Sequence, residues 1–167
     1  MIQRIQTLYL LIVAVLLFLM FFFPVVTIDV FSNGSSEALE MRPFGLKSVT
    51  AEASQKVVST PYMGILLLIT FIISFFNIFL YRHRWVQIRF CFVMMVLELG
   101  LQLYVAYYLF KAGDVVKELN MTMADSAAPI GYSLVDIFPI ICIILTYLAF
   151  KGIIRDEMLV RSLDRIR

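Results

Sequence analysis

Charge is scarce in this sequence. Only 16 % of its 167 residues are Asp, Glu, Lys or Arg, against about 25 % in an average soluble domain. The net charge of +2 gives no argument for nucleic acid as a partner. One histidine is present, His83, between Arg82 and Arg84, and no second His or Cys lies near it to complete a metal site. The two cysteines, Cys91 and Cys142, both fall within apolar stretches, with no CxxC. That disfavours thiol-oxidase chemistry and points to buried, inert thiols. HExxH, GxSxG, a P-loop and paired carboxylates with a ligand set beside them are all missing. The chain is therefore expected not to be an enzyme, with no catalytic residue, no cofactor and no metal.

What is abundant is apolar side chain. Hydrophobic residues make up 62 % of the chain, with 15 Phe, and the mean hydropathy is +0.92. Four apolar stretches, at about 8–26, 62–81, 88–110 and 132–150, each approach the ~20 residues that a helix needs to cross a hydrocarbon core. Backbone amides find no water there, so each stretch is expected to be a helix. Pro139 lies inside the fourth and predicts a kink. The first stretch has a short basic lead but is too long for a signal-peptide core and lacks a small-residue cleavage pattern, so it reads as a retained anchor.

Basic residues set the expected orientation. Arg4, Arg82, Arg84, Arg89, Lys151, Arg155, Arg161, Arg165 and Arg167 fall on one side. The positive-inside rule places that side, with both termini, in the cytoplasm. Trp85 reads as an interface anchor. The opposite side carries residues 27–60 and 111–129. Val25 to Phe31 is β-branched and partly alternating, Asn33-Gly34 is a tight-turn signal, and Glu37 to Phe44 reads as a return strand, which predicts a β-hairpin. Residues 45–60 are polar and less patterned. Residues 111–129 can continue the third helix, and Asn120-Met121-Thr122 has the form of a glycosylation sequon.

The opening MIQRIQTLYLL and the ending RDEMLVRSLDRIR resemble the two ends of an uncharacterised family of small four-span membrane proteins of Bacteroidota, domain of unknown function 4293. The resemblance implies a multi-pass protein of the bacterial inner membrane, where the sequon is irrelevant. It brings no activity and no site residue.

The interior polar residues need their own account. Asn77, Glu98, Gln102 and Asp136 lie within the apolar stretches. Glu98 and Gln102 are four residues apart and share one helix face. Glu98 falls near the middle of its stretch, with Asn77 and Asp136 roughly 10 Å to either side. Neither is therefore its direct partner. An ionisable group at the membrane centre reads by default as a proton- or cation-coupling residue. The competing reading is a protonated Glu98 that hydrogen-bonds to another helix through a hydroxyl, a carbonyl or Gln102. Such bonds average only about 0.6 kcal/mol.

Residues 151–167 form the remaining feature. Ile154, Met158, Leu159, Leu163 and Ile166 fall on one side at helical spacing. An amphipathic cytoplasmic helix is expected, lying on anionic lipid or docking on a protein through Met158, Leu159, Leu163 and Ile166. The expected whole is an all-α, single-domain, four-helix antiparallel transmembrane bundle with a small extracytoplasmic β-hairpin. Its expected role is a non-enzymatic accessory or scaffold subunit of a cell-envelope complex. The alternative is a small proton- or cation-coupled transporter using Glu98. The expected partners are the lipid bilayer and other membrane or envelope proteins, with a homo-oligomer open.

Overall fold

Pro24 decides where the first helix stops. Proline lacks an amide hydrogen and pushes the residue before it out of the helical region. In the computed structural model, which describes residues 3–32, 35–49, 54–59, 61–80, 83–118, 122–123 and 130–164, helix α1 spans Gln3–Leu19. Residues 20–23 then leave it through hydrogen-bonded turns, with Phe22 N–H donating to Leu19 O at 3.0 Å. The apolar stretch expected at 8–26 is corrected at both ends. The helix starts earlier, and β-branched Val26 opens a strand instead. Among the described residues three helices are long and apolar enough to cross a membrane, and Ile5–Leu19 is a shorter apolar helix.

Helix α2 spans Pro61–Phe79 and α3 spans Arg84–Glu118. The extension of α3 past the apolar stretch agrees with the sequence reading. Helix α4 spans Phe138–Asp164, preceded by a 3-10 turn at Leu134–Ile137 that Ser133 caps. Pro139 is thus the second residue of α4 and not an interior kink. In a first turn the missing N–H has no partner to lose, so proline is accommodated there. At its other end α4 runs through Gly152 without a break, so the tail is a continuation of the fourth helix. Gly152 serves close packing: a Cβ there would lie 3.0 Å from Gln6 Cγ of α1.

α1 and α3 each pack on both α2 and α4, which makes a closed ring. The buried positions step alternately by four and three residues. On α2 they are Met63, Leu67, Thr70, Ser74 and Asn77, with Gly64 buried beside Met63. On α3 they are Gln87, Cys91, Met94, Glu98, Leu101 and Val105. This is the 3.5-residue seam of left-handed helix packing. The outward faces carry Phe76, Phe79, Phe92, Leu103 and Ile144, each more than half exposed.

A sheet of six strands covers one end of the helices. Strands β1 (Val26–Ser32) and β2 (Ser35–Arg42) pair antiparallel from Val26↔Met41 to Ser32↔Ser35. The expected hairpin is there, closed by two residues; Asn33 and Gly34 themselves lie outside the described residues. Residues 45–60, read as unpatterned, add β3 (Gly45–Val49) and β4 (Ser54–Ser59). On the other side of β1, β5 (Thr122–Met123) pairs with Val30 and Phe31, and β6 (Ile130–Tyr132) pairs with residues 26–28. β1 is therefore an interior strand. Val26, Ile28 and Val30 alternate inward with Leu39, Met41 and Leu46, while Asp29 points out. The turn between β2 and β3 docks on the turns that follow α1. Arg42 donates to Phe22 O at 3.1 Å, and Phe44 stacks on Phe21 with ring centroids 6.1 Å apart.

Candidate functional site

The 3.5-residue seam brings polar side chains from three helices into the interior. Glu98 is fully buried on α3. Thr146 of α4 donates a 3.0 Å hydrogen bond from Oγ1 to Glu98 Oε1. The other carboxyl oxygen, Oε2, has no partner. One turn further along α3, Gln102 hydrogen-bonds to Asp136 in the 3-10 turn before α4. Gln102 Oε1 and Asp136 Oδ1 are left without partners.

Asn77 belongs to the opposite end of the seam. Its Nδ2 donates to Cys91 Sγ at 3.2 Å and lies 3.5 Å from Met94 Sδ. Its main-chain oxygen is in the last turn of α2, where carbonyls lose their helical partners. Gln87 Nε2 reaches it at 3.3 Å and so ties the start of α3 to the end of α2. Ser74, one turn from Asn77 on the same face, is fully buried and its hydroxyl has no partner. Thr70 is satisfied locally by Leu66 O at 2.8 Å.

Of the four polar residues singled out from the sequence, Asn77 and Glu98 are on the seam, Gln102 is beside it and Asp136 is in the 3-10 turn, and they are not one cluster. Gln102 and Asp136 meet, Glu98 pairs with Thr146, and Asn77 stands apart. Thr146, Ser74 and Gln87 were not assigned to the site by composition. The signal that reaches them is spacing: Gln87, Cys91, Met94 and Glu98 step by four, three and four, as do Cys142, Thr146 and Ala149 by four and three.

Among the described residues no basic side chain is buried, and no three of His, Cys, Asp and Glu come together as a metal site. Cys91 and Cys142 are buried and unpaired as disulfides. On the tail, Met158 and Leu159 are 60 % and 53 % exposed. Met158 lines a groove with Trp85, Ile88, Ile154 and Glu157, between the start of α3 and the end of α4. Leu163 lies in α4 but its side chain is outside the description, and Ile166, like Asn120 and Met121 of the sequon, lies outside the described residues.

The family profile of DUF4293, a domain of unknown function, matches residues 2–166. The chain belongs to this family. No curated protein matches it. The DUF4293 match covers helices and sheet alike, so the six strands are part of the family domain and not an appendage.

Proposed function

We propose that this DUF4293 protein is a non-enzymatic accessory or scaffold subunit of a cell-envelope complex. It would sit in the bacterial inner membrane as a four-helix antiparallel bundle. Both termini and the turn between α2 and α3 would be cytoplasmic, and the sheet would lie outside. The observation that carries this reading is the tail. α4 has 27 residues, and about 20 suffice to cross a hydrocarbon core. Near its end Met158 and Leu159 are exposed, just beyond the bond of Asp156 to Gln6 of α1. The bond from Thr146 to Glu98 supports the same reading, because it joins two helices.

Affinity purification of the tagged full chain in mild detergent tests it. Leu159→Asp should release the partner, since a buried Leu contributes roughly 1.5–3 kcal/mol. An unchanged set of co-purifying proteins after deletion of residues 156–167 would refute docking by the tail.

A second reading, a small proton- or cation-coupled transporter, is favoured by one observation: the unpartnered oxygen of Glu98 faces the interior at the middle of α3. Under it, Glu98→Gln would fold normally yet be as inactive as Glu98→Ala.

A further inference from the structure

Among the described residues, five buried side-chain atoms have no hydrogen-bond partner: Ser74 Oγ, Asn77 Oδ1, Glu98 Oε2, Gln102 Oε1 and Asp136 Oδ1. All five are oxygens. Ser74, Asn77 and Glu98 are completely buried.

Their positions follow the seam. Asn77 contacts Cys91 and Met94, which fixes the alignment of α2 on α3. Three residues toward the sheet on α2 lies Ser74, about 4.5 Å up at the helical rise. Four residues beyond Met94 lies Glu98, about 6 Å up. Gln102, with Asp136 bonded to it, is one turn higher. The file from the level of Cys91 to that of Gln102 is about 16 Å long.

Of the donors nearby, three are already engaged, while the Ser74 hydroxyl has neither donor nor acceptor in reach. The Thr146 hydroxyl is on Glu98 Oε1, the Asn77 amide on Cys91 and the Thr70 hydroxyl on Leu66 O. Gln102 is engaged with Asp136. An unpaired polar group in a low-dielectric interior is costly, so each oxygen calls for a partner from outside the chain. Two chemistries supply a partner: a hard cation, which only coordinates lone pairs, or water, which both donates and accepts. A hard cation gathers its oxygens around a single centre. These oxygens are strung along the axis instead, and no buried basic group is among the described residues. Water bridges two to four polar partners at hydrogen-bond spacing and extends as a file.

We infer that the seam between α2, α3 and α4 holds a file of bound water that runs past Ser74 and Glu98 and links the Asn77 level to the Gln102–Asp136 pair. The inference is independent of what the tail binds.

The two native cysteines report on it, because both thiols are buried in the seam: Cys91 beside Asn77, and Cys142 one turn from Thr146. Their S–H stretching bands stand in an otherwise clear region of the infrared spectrum, and Cys91→Ala and Cys142→Ala assign them. The full chain in lipid nanodiscs is transferred from H2O to D2O. The Cys91 band should convert to S–D well ahead of the slow backbone amides of α3. Ser74→Val or Gln102→Leu should slow that conversion by about tenfold, the factor that corresponds to one lost hydrogen bond to water. A Cys91 S–H band that persists as long as the slowest amides would overturn the inference. So would a melting temperature raised by sodium over choline chloride and made insensitive by Glu98→Gln, since that pattern means a bound cation.

Discussion

The side-chain amide of Gln6 donates a 2.8 Å hydrogen bond to Asp156, across 150 residues of sequence. It is made possible by Gly152, one turn before Asp156, whose missing side chain leaves room for Gln6. Gly152→Val should therefore push α1 off α4. Overpacking of this kind costs about 1–3 kcal/mol, read as a lower melting temperature in detergent. Asp156→Asn keeps an acceptor oxygen and should leave the melting temperature nearly unchanged.

A Cβ on Gly64 would run into the ring of Phe44. Gly64→Ala should loosen the turn between β2 and β3 from the start of α2. Phe44→Ala removes the obstacle, so the double variant should be less destabilised than the sum of the two singles. Contacting residues couple by about 0.5–3 kcal/mol, and a double-mutant cycle on thermal unfolding measures it. Strict additivity would mean that the turn is not docked there.

Much of the fold was legible in the sequence, and the misses have physical causes. The hairpin was readable because Asn33-Gly34 specifies its own turn and Val26, Ile28 and Val30 alternate. β3 and β4 were not, because Lys47, Ser48, Gln55 and Lys56 carry no hydrophobic period and their order comes from cross-strand pairing. β5 and β6 are two and three residues long, below any periodic signal. Pro139 was misplaced because the fourth apolar stretch begins as a 3-10 turn, which hydropathy does not distinguish from α-helix. Gln102 between Glu98 and Asp136 was legible from helical rise alone. Thr146 was not, since a hydroxyl on an apolar helix more often bonds its own backbone one turn back, as Thr70 does.

Glu98→Gln keeps an oxygen for the Thr146 hydroxyl and a side chain of the same shape. Its melting temperature should match that of the parent. Glu98→Ala strands the Thr146 donor and opens a void, at a cost on the order of 1 kcal/mol or more. Equal losses for Gln and Ala would show that the Thr146 bond does not hold α3 to α4.

Both native thiols are fully buried, so an added cysteine is the main target of a membrane-impermeant reagent. In intact cells, a cysteine at Ser35 should react and one at Ser162 should not, if both termini are cytoplasmic. The reverse pattern would invert the proposed orientation.

The placement of β1 inside the sheet imposes an order of assembly. β1 and β2 are neighbours in the chain and can zip as soon as both are synthesised. The other edge of β1 finds its partners only at residues 122–123 and 130–132, after the whole of α2 and α3. Until two further helices are in place, the backbone donors and acceptors along that edge are an open template for any passing strand. Contacts so distant in sequence form slowly. A chain truncated before residue 122 would thus have three of its helices made but a sheet that is still adhesive. The last two short strands act less as ornaments of the sheet than as its seal.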